Sequence, residues 1–465
     1  MWMSNILYEH ILGMILKGAK MEKVNLQFLN LLKASLKGEA YNGEDIDFDN
    51  LLYIYKLSEI HHVVPMIYNV LYNEEFFRKS DENFKAMFKS SAFKLIFSQI
   101  QRTSRFLELY KKLQSKNIKC LVFKGIIFRN MYNNPDDRMS ADEDILVKSE
   151  DYDRIKEVLL DEGLEFIDKG QECAYFCKNT GLCIEVSKSL FSKDSKAYGH
   201  LNDLFDDVFE KSIDINIDGV LVSTLSHQQH LIYIVFHNMK HFLTGGFGIR
   251  QVADFFKYIE TYGEFIDWDK LWLDLKDLNY DTFALNLIDI SLKYLGFDDT
   301  KVVYPMSEGV STAKHKKDNH KFDKKENYKN NECGKNLEYK CENRFNKLKN
   351  SGKYYINSDA LINDILEAGV FGASTMDRKH TALMTLDAVE DNSEGNRLKA
   401  IFPNVDYLKD RYTYLQKYPI LLPVAWIQRV FSYMKNNHNN KDSYINTMEL
   451  GKQRIALLKE YKIIK

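Results

Sequence analysis

The chain has 465 residues, of which 45% are hydrophobic and 13% aromatic, and its 64 basic and 66 acidic side chains leave a net charge of -2. This composition excludes global disorder, and the balanced charge argues against binding bulk nucleic acid by electrostatics alone. A chain of this length can bury a large core, and its 6 prolines and 22 glycines favour a helix-rich protein.

The N-terminal segment and the cysteines bear on the cellular compartment. Residues 1–17 are apolar but carry Glu9 and His10, and they lack the basic start and the small-residue cleavage site of a signal peptide. No uncharged apolar run is long enough to cross a bilayer, so we expect no membrane association. The absence of a Cys-x-x-Cys pair favours reduced thiols in a cytoplasmic protein over a zinc site. The six cysteines are Cys120, Cys173, Cys177, Cys183, Cys333 and Cys341.

Apolar residues recur at helical spacing through the first quarter of the chain. Two such groups are Phe28, Leu31, Leu32 and Leu36, and Phe93, Ile96, Phe97 and Ile100. We therefore predict an N-terminal helical region over residues 1–117. His61 and His62 precede an apolar stretch within it, and a core or surface position explains them better than catalysis does.

The next stretch has the pattern of two strands joined by a short helix and a turn. The apolar run Cys120–Phe123 stops at Lys124-Gly125, which is typical of a buried strand that enters a tight turn. Residues 126–132 suit a short helix, and the Asn/Asp-rich segment around Pro135 must end it. A second strand is predicted to begin near Ala141 and to continue into the core.

Side chains alternate along a strand, so Asp142 and Asp144 should share one face and Glu143 should point to the other. A solvated strand end is one interpretation of the aspartate pair. A divalent-cation site is the other, because Mg²⁺ prefers carboxylate oxygens together with substrate phosphates. Lys124 and Arg138 flank the pair and could hold phosphate oxygens, which favours the second interpretation.

A third carboxylate follows in a predicted hairpin. Residues 174–177 and 182–186 alternate as strands, and the segment Lys178–Gly181 between them has turn composition. Glu185 lies inside the otherwise apolar second strand, where an unpartnered carboxylate is costly. Two interpretations remain open: a strand that faces solvent on one side, or a third carboxylate that faces the metal.

Helical spacing returns from residue 225 to residue 297. His237 and His241 lie four residues apart on one helix face, which is compatible with a metal, although a structural or substrate-facing role is favoured. Arg250 and Asp254 have the same spacing on the next helix, and their simplest interpretation is a surface salt bridge.

The composition changes between residues 305 and 355, which are rich in Lys and Asn and poor in aliphatic side chains. This pattern predicts a disordered or loosely helical insert. A solvated linker is a better interpretation than a binding site for an acidic partner. Residues 356–465 are predicted to form a C-terminal helical region.

Lys124-Gly125, Arg138 and the Asp142-x-Asp144 strand together resemble the uncharacterised bacterial nucleotidyltransferases of the DNA polymerase beta superfamily. Most of that superfamily has Gly-Ser or Gly-Gly before the Asp-x-Asp strand, whereas this branch has Lys-Gly. The serine and its triphosphate contact are therefore not carried over. Flanking helical segments add to the resemblance: residues 57–66 with His61-His62, residues 236–241 with Arg250 and Asp254, and Arg411-Tyr412 with residues 421–427.

The resemblance implies an α+β fold in which a small mixed-sheet core, about residues 118–215, is embedded in a largely helical protein. Residues 216–304 would form a helical region that covers the cleft. Asp142 and Asp144 would bind one or two Mg²⁺ ions, and Glu185 would complete that site or act as general base. Lys124, Gly125, Arg138 and Arg250 would contact the nucleoside triphosphate.

The reaction implied by the resemblance is the transfer of a nucleoside monophosphate from a nucleoside triphosphate such as ATP to a hydroxyl, with pyrophosphate leaving. The acceptor could be a sugar, an antibiotic-like alcohol, a protein side chain or an RNA end. Two alternatives remain: an inactive protein that keeps the fold and still binds nucleotide, and a helical interaction protein in which the acidic pair is incidental.

Overall fold

The computed structural model describes residues 18–168, 173–305, 344–369, 376–390, 405–408, 412–428 and 442–464. Helices occupy most of the chain before the first strand, as the apolar spacing predicts. They are α1 (Gly18–Lys37), α2 (Phe48–Ile60), α3 (Val64–Leu71), α4 (Glu75–Arg78) and α5 (Glu82–Ser115). The long α5 begins after Asp81, whose carboxylate accepts a hydrogen bond from the backbone N–H of Phe84.

A five-stranded mixed sheet follows, with the strand order β1-β2-β5-β4-β3. Its strands are β1 (Cys120–Val122), β2 (Glu143–Val147), β3 (Glu165–Asp168), β4 (Cys173–Cys177) and β5 (Leu182–Ser187). Only β2 and β5 pair in parallel; the other neighbouring strands are antiparallel. The predicted hairpin of β4 and β5 is confirmed, and Gly181 supplies a left-handed turn residue with φ +69°.

Short helices connect these strands. They are α6 (Ile126–Arg129), which follows β1, a 3₁₀ turn (Pro135–Asp137), which precedes β2, and α7 (Tyr152–Asp161), which joins β2 to β3. The described structure after β5 continues with a 3₁₀ segment (Gly199–Phe205). A separate hairpin of β6 (Ile213–Ile217) and β7 (Val220–Thr224) then crosses the predicted core boundary at residue 215.

A helical layer follows the hairpin and covers the sheet end that carries the site. It consists of α8 (His227–Thr244), α9 (Ile249–Tyr262), α10 (Trp268–Asp277) and α11 (Asp281–Leu295). Ser226 caps α8 by accepting a hydrogen bond from the Gln229 backbone N–H. The described C-terminal helices are α12 (344–350), α13 (Ser358–Ala368), α14 (Met376–Glu390), α15 (Val405–Leu408), α16 (Tyr414–Lys417), α17 (422–428) and α18 (Asp442–Glu460).

The far end of the predicted insert is packed. Residues 306–343 lie outside the described residues, but α12 buries Phe345 and Leu348 in the core. Lys349 Nζ on the same helix lies 2.8 Å from a carboxylate oxygen of Asp289 on α11. This end therefore differs from the predicted solvated insert, because two of its few apolar side chains meet a partner surface.

The architecture is α+β, with a small mixed sheet in a largely helical protein, and this confirms the predicted fold class. Within the ranges that the structure describes, no helix is long and apolar enough to span a membrane.

Candidate active site

One cleft is lined by every residue that the sequence singled out as a site candidate: Lys124, Gly125, Arg138, Asp142, Asp144, Glu185 and Arg250. Its volume is about 170 Å³. The ends of β2 and β5 and the turn after β1 form one wall, and α8 and α9 form the opposite wall. Residues more than a hundred positions apart in sequence thus meet at one place.

The carboxylates are brought together by strand register. Asp144 on β2 pairs in register with Glu185 on the parallel strand β5, so both side chains point to the same face of the sheet. Asp142 lies two residues earlier, one position before β2 begins, and is half-buried. The alternation that the sequence predicts therefore holds, although the strand starts two residues later than expected.

Asp144 carries an unsatisfied oxygen at the centre of this group. Its Oδ1 lies 2.7 Å from Lys124 Nζ, while its Oδ2 is buried without a hydrogen-bond partner. Burial raises the pKa of Asp144, and with the added effect of Asp142 and Glu185 and the opposing effect of Lys124 this pKa is about 7. A cation next to Oδ2 would relieve both the lost hydrogen bonding and the repulsion, so hard oxygen ligands suited to Mg²⁺ are present.

These carboxylates do not form a closed metal cage. No group of three or more His, Cys, Asp or Glu side chains in the described part of the chain has the spacing of a metal site. That result also gives no support to a zinc site at His237 and His241. The Lys124 ammonium group already lies where a cation would bind Asp144 Oδ1, so Mg²⁺ would bind through Oδ2 alone unless Lys124 moves.

Glu143 faces away from the cleft and holds the turn before α6 in place. It is 1% exposed; its Oε2 accepts a hydrogen bond of 2.7 Å from the Ile126 backbone N–H, and its Oε1 lies 2.6 Å from Nη1 of the equally buried Arg129. This carboxylate thus links β2 to the turn that carries Lys124. Such a buried ion pair is costly to break from one side.

The same carboxylate explains the glycine of the Lys-Gly motif. Gly125 has φ +52°, and a Cβ added to it would lie 1.9 Å from Glu143 Oε2. The family resemblance assigns this glycine to close approach of the triphosphate. In the structure, the space left by its missing side chain is filled by Glu143, so the glycine is required for internal packing.

Arg138 is held in a buried network. It is 4% exposed, and its Nε and Nη2 bond both carboxylate oxygens of Asp254 at 3.0 and 2.6 Å. Tyr132 donates its hydroxyl proton to the same carboxylate at 2.8 Å, and Arg138 Nη1 donates to Ser140 Oγ at 2.5 Å. The expected surface salt bridge between Arg250 and Asp254 is therefore wrong, because both residues are buried and Asp254 pairs with Arg138.

Arg250 has a donor to spare. One terminal nitrogen donates to the Met139 carbonyl, whereas its Nε is buried without a hydrogen-bond partner. Burial and the neighbouring Arg138 together lower its pKa to about 10, so the guanidinium stays charged near neutral pH. An anion in the cleft would satisfy this donor.

The helical wall contributes polar residues that the sequence analysis did not single out: Tyr233, Asn238, Lys240 and Gln251. Asn238 Nδ2 is buried without a hydrogen-bond partner. The available signal was the set of polar side chains within the otherwise apolar α8. His237 and His241 also line the cleft, whereas His61 lies in the core and bonds the backbone of Ile249 and Leu366, as its apolar surroundings suggest.

Few known proteins resemble this chain at the level of whole sequence or whole structure. A search of curated proteins finds no match. A solved structure, the antigenic nucleotidyltransferase-like protein from Paracoccidioides brasiliensis, is similar with 16% identity and a TM-score of 0.30, covering 42% of this chain and 92% of that one. A similarity this low carries no argument about fold or function.

The model of the family described as uncharacterised nucleotidyltransferase matches residues 46–296, which is more than half of the chain. The matched range contains β1 to β7, α8 and α9, and with them every wall of the cleft. This is the family that the Lys-Gly and Asp-x-Asp motifs predict. The chain belongs to this uncharacterised family of nucleotidyltransferases.

Proposed function

We propose that the protein is a magnesium-dependent nucleotidyltransferase that moves a nucleoside monophosphate from a nucleoside triphosphate to a hydroxyl, with pyrophosphate leaving. One observation carries the proposal: Asp144 and Glu185 are register partners across parallel strands, and Asp144, which lines the cleft, has a buried carboxylate oxygen without a hydrogen-bond partner. An unpaired buried carboxylate oxygen is costly and is found where a ligand or a cation completes the site.

The donor set fits Mg²⁺. Asp142, Asp144 and Glu185 would hold one or two ions through oxygen atoms, with the remaining ligands supplied by phosphates. When bound, the metal would stabilise charge on the attacking and leaving oxygens. Lys124 would turn from Asp144 to the phosphates. The metal would then neutralise Asp144, and the Lys124 ammonium group would neutralise the phosphates.

The phosphates would lie between the carboxylate wall and the helical wall. Lys124, Lys240 and Arg250 line that space, whereas the charge of Arg138 is neutralised by Asp254. We assign Arg138 to bracing the loop before β2 rather than to neutralising phosphate. The volume of about 170 Å³ is below the range of pockets that enclose drug-sized ligands, so the nucleoside would lie at the mouth of the cleft.

The bond changes are those of an in-line displacement. The acceptor oxygen bonds to the α-phosphorus, the bond between that phosphorus and the bridging oxygen breaks, and pyrophosphate leaves with the bond electrons. Glu185 would take the proton of the acceptor hydroxyl. Its register position beside Asp144 would bring it close to the reacting centre.

One observation favours the alternative of a nucleotide-binding protein without turnover. Lys124 occupies Asp144 Oδ1, and no ready three-ligand group exists among the residues described. If Lys124 stays in this position when nucleotide binds, its ammonium group takes the place of a metal ion at Oδ1 and leaves the metal Oδ2 alone, which would favour binding without turnover.

The test is transfer of label from nucleoside triphosphates labelled at the α-phosphate, with Mg²⁺ and an extract of small molecules, RNA and protein as acceptors. Wild type should form a labelled product heavier than its acceptor by one nucleotide, and Asp144→Asn should not. Glu157→Gln, on the exposed face of α7, is the matched control and should keep transfer. Nucleotide binding without transfer would favour the alternative, and absence of binding would overturn both functions.

A further inference from the structure

The helical wall of the cleft contains a hydrogen-bonded chain of three side chains that the proposed reaction does not use. Tyr233, His237 and His241 follow one another at successive turns of α8, and all three line the cleft. The Tyr233 hydroxyl lies 3.1 Å from His237 Nδ1, and His237 Nε2 lies 3.0 Å from His241 Nε2. The two imidazoles thus meet through their Nε2 atoms.

The hydrogen bond between the two imidazoles limits the number of protons that the pair can bind. A hydrogen bond between two Nε2 atoms requires a proton on one of them and a lone pair on the other. The neutral pair meets this condition in either direction. One further proton can be added at an Nδ1 atom without breaking the bond, but two further protons would leave two N–H groups pointing at each other. The pair therefore has room for one additional proton.

The surroundings of the two rings disfavour binding of that additional proton when no anion is bound. Burial lowers the pKa of both rings, and the nearby positive groups Lys124, Lys240 and Arg250 lower it further. The Tyr233 hydroxyl, on the same helix, lies within hydrogen-bond distance of His237 Nδ1. The rings nonetheless keep part of their surface open to the cleft. A polyphosphate in the cleft would neutralise the same cations that oppose protonation.

We propose that the His237–His241 pair is a proton-coupled binding element for polyphosphate, which takes up one proton when a nucleoside triphosphate or an inorganic triphosphate enters the cleft. The charged pair then faces the anion together with Lys240 and Arg250. This inference rests on the proposed function for the identity of the natural ligand, but its chemistry requires only a polyphosphate.

The test is titration calorimetry with MgATP between about pH 6 and pH 7, in buffers of different ionisation enthalpy, which gives the number of protons taken up. Wild type should take up as much as about one proton more than the double variant His237→Gln/His241→Gln, because either imidazole left alone could still bind one proton. By linkage, the Kd of the wild type should rise by as much as about tenfold per pH unit, while the Kd of the double variant depends less on pH.

His227→Gln is the matched control, since His227 lies on α8 outside the cleft. It should keep the uptake of wild type, and thermal melting should show that each variant is folded. Equal uptake in wild type and in the double variant would overturn the inference and leave the proposed function standing. Uptake with inorganic triphosphate but no binding of any nucleotide would support the inference and overturn the function; binding of neither would overturn both.

Discussion

Asp144 and Glu185 are register partners in the parallel pairing of β2 and β5, the one parallel contact within the described sheet. Their carboxylates therefore share a face, and the charge of Glu185 adds to the cost of ionising Asp144. Asp142 adds a third negative group, and Lys124 is the cation beside Asp144. A further cation bound between these carboxylates would reduce their mutual repulsion.

MgATP should stabilise the folded protein. At a concentration about a hundredfold above its Kd, linkage predicts an increase of about 2.7 kcal/mol in the free energy of unfolding. The increase should require both metal and nucleotide, because Mg²⁺ takes ligands from phosphates. Thermal melting of wild type, Asp144→Asn and Glu185→Gln checks this, with Glu157→Gln as the control. A full shift in Asp144→Asn would contradict the site.

Stability without ligand should depend on pH through Asp144. Its pKa is about 7 when folded and 3.8 in the reference state, so the folded protein binds more protons between these values. The free energy of unfolding should therefore fall as pH rises from about 4 to about 7. Asp144→Asn should be more stable than wild type at about pH 8, by a few kcal/mol at most, since one pKa unit corresponds to about 1.4 kcal/mol.

That stability difference should shrink as the pH is lowered towards 4, because Asp144 of wild type is then protonated in the folded state. Denaturant unfolding at several pH values measures it. A difference that grows in acid would show that burial does not raise the pKa of this carboxyl.

Gly125→Ala should destabilise the protein by about 2–5 kcal/mol, through strain at positive φ and the clash with Glu143. Gly163→Ala is the matched control: its φ of +82° gives similar strain, but a Cβ there meets nothing within 4 Å. Denaturant unfolding of the two variants separates the cost of backbone strain from the cost of the clash with Glu143. Equal losses would mean that Glu143 moves aside at little cost.

Arg138 should contribute mainly to the stability of the fold, and Arg250 mainly to the binding of MgATP. Arg138→Lys cannot bond Asp254 at two points, so the melting temperature should fall while the Kd of MgATP changes less than about threefold. Arg250→Gln should weaken MgATP binding about tenfold or more, because a charge-assisted hydrogen bond contributes about 1.5–3 kcal/mol. Equal effects on Kd would place Arg138 on the phosphates as well.

The helix α12 should be part of the folded core. Phe345→Ala should lower the free energy of unfolding by about 3–5 kcal/mol, since it removes a buried aromatic side chain. Asn346→Ala, at an exposed position of the same helix, should change it little. Chemical denaturation of the Phe345→Ala and Asn346→Ala variants measures both effects. Equal small effects would show that this segment belongs to the solvated insert that its composition suggests.

The sequence alone determined the elements whose signals are local. The alternation of Asp142, Glu143 and Asp144, the turn at Lys178–Gly181 and the stop at Lys124-Gly125 depend on residues within a few positions of one another. Strand geometry then assigns the aspartates to one face. The family and the fold class followed from the same motifs.

Only the tertiary structure decided which distant groups meet. Asp254 pairs with Arg138 instead of its helical neighbour Arg250, and the missing side chain of Gly125 makes room for Glu143. Phe345 is buried although its segment is polar. Spacing along the chain specifies which face a residue occupies, but its partner depends on packing between elements far apart in sequence. The pKa of Asp144 follows from burial and from neighbours on another strand, because both are properties of the assembled sheet.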